Sequence, residues 1–399
     1  MPRPQRQGRI ELSGPTVQDL ADRVERAMKA FRSRQPLTTL ATPAGAFFTM
    51  THWQSRPYAL PMIWLATPGC RHVAEHGGCT MCDFGCGDYK EEELIDGLNR
   101  VLDRFDCPPL LHLAIPGSFL DDEEVPAEFR HRVLAAVAAR GPAAIGVEAR
   151  PEHVGVESLL FAANAVQERS GSSCAELSVG IGVEAFDDSV TRVCVNKRST
   201  RAAALHALAA VRSADAQIAG LDITSEAHVL LKPPVLTEAE AIDDASAVVE
   251  WCLAEGFERV ILMLCSAKPH SPLGMLARTD APSVPGANYR PASLWSALEV
   301  LSRLPESLQS RVRVHGFASN TALGLGPTTC PACEQVVAAA IQHFNATGAT
   351  DGLDAVRRLG CGCREQWRST CEQEPEASLM ARMSGFVDAL ERAAGGSST

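Results

Sequence analysis

Three cysteines in one glycine-rich loop, placed directly after an apolar run, constrain this chain more than any other feature. Residues 68–88 read PGCRHVAEHGGCTMCDFGCGD, with Cys70, Cys79 and Cys82 in a C-x8-C-x2-C arrangement. The preceding run Met62, Ile63, Trp64 and Leu65 predicts a strand that runs into this loop. Gly77 and Gly78 let the backbone turn tightly beside the thiols. Such a loop can wrap an iron–sulfur cluster, with Cys79 and Cys82 gripping adjacent irons and Cys70 returning from the far side. A [4Fe–4S] cube held wholly by protein takes four cysteines. Three therefore leave one iron open to an outside molecule. A structural zinc site with Cys86 as fourth ligand would use the same residue type, and both readings stand at this point.

Downstream, segments of strand and helix character alternate. Strands are expected at 62–67, 110–116, 143–149, 176–184, 227–232 and 259–265, and helices at 91–105, 126–139, 156–169, 200–213 and 238–255. The pattern predicts an α/β fold with a parallel sheet, best drawn as a partial (β/α)6 barrel of the TIM type, and a chain of 399 residues with 46% hydrophobic content can fill such a core. Residues 1–57 read as an N-terminal leader whose helix, over 16–32, presents Leu20, Val24, Ala27, Met28 and Phe31 to the barrel. The barrel itself spans 58–305, and 306–399 forms a small Cys-rich appendage with a helical tail. Functional groups of such barrels collect at the C-terminal ends of the strands.

Read with that rule, the GGCTMC segment and its upstream Cys70 resemble the radical SAM subunit group of archaeosine synthase, a relative of the Elongator catalytic subunit. Met81 stands where an aromatic is usual. Further segments carry the resemblance in order: Gly117-Ser118-Phe119, Glu148-x-Arg150-Pro-Glu, the Asn196-Lys197 pair, LLKPP-x-LTE-x-EA from Leu230, and a Tyr-Arg-Pro stretch from Tyr289 to Trp295. Together they span roughly residues 60 to 368. The resemblance implies the partial barrel, a [4Fe–4S] cluster on Cys70, Cys79 and Cys82, and S-adenosylmethionine (SAM) on the open iron. It implies SAM contacts from Gly117, Ser118, Glu148, Arg150, Glu184, Asn196 and Lys197. Taken singly, each of these is also an ordinary turn, surface ion pair or helix start.

A second set, Cys330-x2-Cys333 and Cys361-x-Cys363 with Cys371 following, has the spacing of a metal site. Zinc and an auxiliary iron–sulfur cluster both fit, and Cys371 reads as a fifth, spare or sulfur-relay thiol. Cys107, Cys174, Cys194 and Cys252 stand singly and read as small buried hydrophobes. Fourteen cysteines with no secretory signal and no membrane-length apolar run predict a reducing cytoplasm. The net charge of −11 argues against a nucleic-acid partner, because phosphate contacts supply most of that affinity. The expected activity is hydrogen abstraction from a small, nucleoside-like substrate in a specialised biosynthetic pathway, with a flavodoxin- or ferredoxin-type electron donor. Sulfur insertion follows if the second set holds a cluster. The alternatives are a tRNA-modifying C–N lyase of the archaeosine type and a zinc-stabilised binding protein without catalysis.

Overall fold

The computed structural model describes residues 14–53, 56–106, 108–170, 173–278, 289–316 and 329–395. Cys107 and residues 279–288 lie outside the described residues. One eight-stranded sheet runs in chain order: β1 (Ala44–Trp53), β2 (Arg56–Leu65), β3 (Leu110–Ala114), β4 (Ala144–Ala149), β5 (Glu176–Glu184), β6 (Asp222–Leu231), β7 (Arg259–Leu264) and β8 (Val312–His315). β1 pairs antiparallel with β2, and every later pairing is parallel. The sheet curls into a half barrel.

Six of these strands fall where the alternation places them, and two do not. β1 lies inside the segment read as a helical leader. It carries Phe47 and Phe48 side by side with both exposed, so it lacks the in–out rhythm by which a strand is recognised. β8 lies inside the Cys-rich appendage. Its four residues alternate buried Val312 and Val314 with Arg313 and His315, too short a pattern to stand out.

The side-chain period of two gives the half barrel two different faces. Leu111, Leu113, Ile145, Val147, Leu177, Val179, Val260, Leu262, Val312 and Val314 point outward and are buried under the helices. The alternate positions, His112, Glu148, Ser178, Glu226, His228, Arg259, Arg313 and His315, fall on the concave face. Gly146 and Gly180 leave room there for imidazoles: a Cβ on them would stand 2.3 Å from His112 Nδ1 and 2.6 Å from His228 Nε2.

The helix Val17–Arg34 opens on a capping box between Thr16 and Asp19 and buries Leu20, Val24, Ala27, Met28 and Phe31, as its spacing predicts. Part of that burial is against the C-terminal helix Leu379–Gly395, to which Arg23 also pairs through Asp388 and Glu391, both at 2.6 Å. Cys174, Cys194 and Cys252 are fully buried.

Candidate active site

The cysteine loop leaves the C-terminal end of β2, and the surrounding chain fixes it at several points. Cys70 precedes the short helix Arg71–His76, which ends on Gly77 at φ 79°, followed by Gly78 at φ 81°. A Cβ on Gly77 would come within 2.5 Å of the Met28 carbonyl carbon, so glycine is required where the N-terminal helix lies against the loop. Thr80 is wholly buried. Its N–H donates to the Val195 carbonyl at 3.0 Å and its hydroxyl to that of Cys194 at 2.5 Å. Those acceptors close a π-helical turn, Val190–Cys194, a local irregularity that often marks functional sites.

Asn196 comes next, at φ 57°. Its side-chain amide donates to the Gly78 carbonyl at 2.7 Å and to that of His76 at 3.0 Å, while its own carbonyl accepts from His72 Nε2 at 2.6 Å. The amide expected to meet the SAM carboxylate is thus spent on the cysteine loop, which makes Asn196 a positioning residue. Asn196→Ala leaves two buried carbonyls unpaired, at about 1–3 kcal/mol each. The expected result is lower iron incorporation on reconstitution and a lower melting temperature. Full iron with weakened SAM binding would return Asn196 to the cofactor.

Glu124 is the residue that sequence reading missed. It sits in an Asp-Asp-Glu-Glu run that resembles a solvated turn, yet its side chain is 2% exposed. One oxygen accepts from the Arg71 N–H at 2.7 Å and from Arg150 Nη2 at 3.2 Å, and the other accepts from the Ser118 N–H. Ser118 Oγ in turn accepts from the Arg150 N–H at 3.0 Å. Gly117 stands so close that a Cβ would lie 1.8 Å from Glu124 and 3.3 Å from the Cys70 Cα. The Gly117-Ser118 strand end and Arg150 therefore meet at the cysteine loop, joined by a buried carboxylate.

Glu184 and Lys197 form a buried ion pair. Glu184 holds φ at 73°, a conformation strained for a non-glycine residue, which keeps its carboxylate at the end of β5. Burial by itself would lower the Lys197 pKa, but the Glu184 carboxylate and the neighbouring Cys79 raise it, so the ammonium stays charged beside the cysteine loop. Arg32, from the N-terminal helix, donates to the Cys82 carbonyl at 2.5 Å. Glu148 takes a different direction from Arg150: it turns into the half barrel, 3.1 Å from His112 Nε2, with its side chain 32% exposed to the lumen. Burial would raise its pKa, but the His112 contact brings it down to about 2, so Glu148 is an anion at neutral pH.

The three thiols fit a cubane. Burial pushes the Cys70 thiol up to about 11 and that of Cys79 higher still, and the two interact electrostatically with each other and with Cys82. Buried thiols of this kind are neutral until a metal takes their protons, and Lys197, Arg150 and Arg32 offset the negative charge that ligation creates. Their sulfurs do not close into a group within 4.8 Å, the tight arrangement that Cys330, Cys333, Cys361 and Cys363 form among the described residues. The Cys86 backbone is pinned to the segment before β1: its N–H donates to the Thr38 carbonyl at 3.0 Å and its carbonyl accepts from Leu40 at 2.8 Å.

Below the loop, the concave face carries a connected polar set that sequence reading did not assemble. Arg259 bonds Glu226 at 2.6 Å, Ser178 at 2.9 Å and Thr224 at 3.1 Å, and also Glu176. Arg313 Nη2 lies 2.6 Å from His52 Nδ1. Buried His315 Nε2 has no hydrogen-bond partner. The signal was present in β6, where Thr224, Glu226 and His228 alternate with Ile223, Ala227 and Val229.

No known family profile matches the chain. It is 26% identical over 345 residues to archaeosine synthase subunit beta of Thermococcus kodakarensis, covering 81% of this chain and 97% of that protein. It is 24% identical over 324 residues to an uncharacterized protein of Methanocaldococcus jannaschii, covering 78% and 82%. Among solved structures it is similar to a radical SAM methyltransferase of Kitasatospora setae, with TM-score 0.43 and 13% identity over 78% of this chain and 62% of that one. It is also similar to the radical SAM coproporphyrinogen III oxidase of Escherichia coli, with TM-score 0.40 and 15% identity over 63% and 52%. The chain thus spans between half and two thirds of those two structures. No helix among the described residues is long and apolar enough to cross a membrane.

Proposed function

We propose that this chain, a member of the radical SAM superfamily, abstracts hydrogen from a small, polar, nucleoside-like substrate held in the lumen of its half barrel, as a step in a specialised biosynthetic pathway. Cys70, Cys79 and Cys82 would hold a [4Fe–4S] cluster which, when bound and reduced by a flavodoxin- or ferredoxin-type donor, would supply the electron for reductive cleavage of SAM. The chain's own residues place, charge and enclose. Glu124 ties the Gly117-Ser118 edge, Arg150 and the start of the cysteine loop into one unit, and a glycine edge allows close approach of the SAM methionine group. Glu184 and Lys197 offer an acid and a base beside Cys79 for the polar ends of SAM. The helix Val17–Arg34 covers the loop and limits the access of water.

The observation that carries the substrate reading is the polar concave face. An apolar substrate would strip water from the paired but charged Glu148 and Glu226 and leave the buried His315 Nε2 without a partner. A heterocycle with several donors and acceptors satisfies them. Anaerobically reconstituted protein supplied with dithionite and SAM should release 5′-deoxyadenosine, and a matching nucleoside should accelerate release and, when deuterated at the reacting carbon, pass deuterium into the 5′-deoxyadenosine. Stimulation by neither nucleosides nor nucleobases would remove the substrate reading and leave the radical chemistry standing.

The archaeosine-type tRNA lyase remains a second reading, favoured by likeness along 97% of the Thermococcus protein and by Arg303, Arg357, Arg364 and Arg368 lining one cleft with Trp367. Two of those arginines already pair with acids: Arg303 with Asp243 at 2.7 Å and Arg357 with Asp354 at 2.8 Å. Binding of tRNA that weakens steeply between 50 and 200 mM salt, as about six phosphate contacts would require, favours the lyase; affinity confined to the free nucleoside favours the small substrate. Sulfur insertion would need a sulfide source at the second cysteine set.

A further inference from the structure

We infer that Cys330, Cys333, Cys361 and Cys363 form a mononuclear tetrahedral site for zinc, which staples the C-terminal region and contains no sulfide. The sulfur spacing carries this. Cys330 Sγ and Cys361 Sγ lie 3.8 Å apart, and all four ligand atoms lie within 4.8 Å of one another. Four thiolates around one ion at a Zn–S distance of about 2.3 Å mark out a tetrahedron with edges of about 3.8 Å. Thiolates on the separate irons of a cubane stand roughly 6 Å apart. A two-iron cluster splits its four cysteines into two pairs across a similar gap.

The surroundings suit the charge of such a site. Four thiolates around a divalent ion carry two net negative charges. Cys330 and Cys361 occupy the N-cap positions of the helices Pro331–Thr347 and Gly362–Cys371, so the positive ends of two helix dipoles lie at the site. Trp295 Nε1 donates to Cys363 Sγ at 3.5 Å. Between zinc and ferrous iron, which accept the same tetrahedral thiolates, the Irving–Williams order favours zinc.

The packing states what the metal is for. The helix Gly362–Cys371 has no fully buried residue, and only Cys363, Trp367 and Cys371 pack, partly buried, against the core. Its side-chain tethers to the barrel are few: Trp367 Nε1 donates to Ser296 Oγ at 2.8 Å, beside the Trp295–Cys363 contact. Ser296 and Ser293 in turn bind buried Glu238, which pairs with Lys232 at 2.5 Å, just past the end of β6. A metal crosslink between the two helix starts supplies what the core does not. Cys371, expected among the ligands, sits eight residues beyond Cys363 on the same helix, about 12 Å along its axis. It lines the arginine cleft instead.

The site is independent of the radical reaction, and metal analysis separates the two. Full-length protein purified from cells and then reconstituted anaerobically should contain about one zinc and about four irons per chain, with a zinc K-edge spectrum fitting four sulfurs. Cys79→Ala should lose the iron and keep the zinc. Cys371→Ala should keep both, whereas Cys361→Ser should lose zinc, lower the melting temperature and reduce 5′-deoxyadenosine only as far as folded protein is lost. About eight irons with acid-labile sulfide and no zinc would overturn the inference. So would a red, sulfide-free protein with one extra iron.

Discussion

Cys79→Ala is expected to reduce 5′-deoxyadenosine formation from SAM to background, and Cys70→Ala and Cys82→Ala should do the same. Each thiol has its own place: Cys70 at the start of the short helix beside Gly117, and Cys79 beside the Lys197–Glu184 pair, with Cys82 held over Arg32. None can be replaced by a neighbour. Cys86, whose backbone is bound to Thr38 and Leu40, is the nearest spare thiol in sequence, and Cys86→Ala should leave SAM cleavage intact. Iron content, the brown colour of the reconstituted protein and deoxyadenosine yield are read together. If Cys70, Cys79 and Cys82 variants kept wild-type cleavage, the cluster assignment would fail outright. If Cys86→Ala alone abolished it, the loop would be a four-cysteine site with no iron open to SAM.

Glu124→Ala should unfold the mouth of the half barrel rather than trim its activity. The substitution takes the partner from Arg150, whose side chain is 10% exposed, and from the N–H groups of Arg71 and Ser118. Removing one member of a buried ion pair costs about 3–5 kcal/mol, a large share of the 5–15 kcal/mol by which folded domains are typically stable. The expected readout is a large drop in the melting temperature of the cluster-free protein, with little iron taken up afterwards. Glu124→Gln, which keeps the shape and two acceptor bonds but not the charge, should fall between alanine and the native residue. A cluster-free Glu124→Ala protein that melts normally but binds SAM weakly would move Glu124 from the scaffold to the cofactor.

The cluster loop was legible because metal ligation is local. Three cysteines within thirteen residues and two adjacent glycines reveal a loop chemistry without any knowledge of what packs on it. The six parallel strands were legible for a similar reason, since fully buried runs such as Leu177–Ile181 can be recognised one by one. β1 and β8 were not, because an exposed hairpin strand and a four-residue edge owe their place to their neighbours.

The roles of charged residues divided along the same line. Sequence put Glu148, Arg150 and Glu184 at the ends of strands and Asn196 and Lys197 in the run before the next helix, which is where they are. It could not say which way each side chain turns, and only the tertiary structure sends Glu148 down to His112, Arg150 across to Glu124 and the Asn196 amide onto the cysteine loop. Nor could the run Asp121-Asp122-Glu123-Glu124 disclose that its last member is buried, because burial is decided by what arrives from Arg71 and Arg150, many residues away. The second cysteine set shows the division most plainly. Its spacing in the chain named four thiolates and stayed silent between zinc and a cluster, because ligand order does not fix ligand distance. The choice was made by two helix starts brought together in space, 3.8 Å between sulfurs, a separation that suits one ion and is too short for a cube.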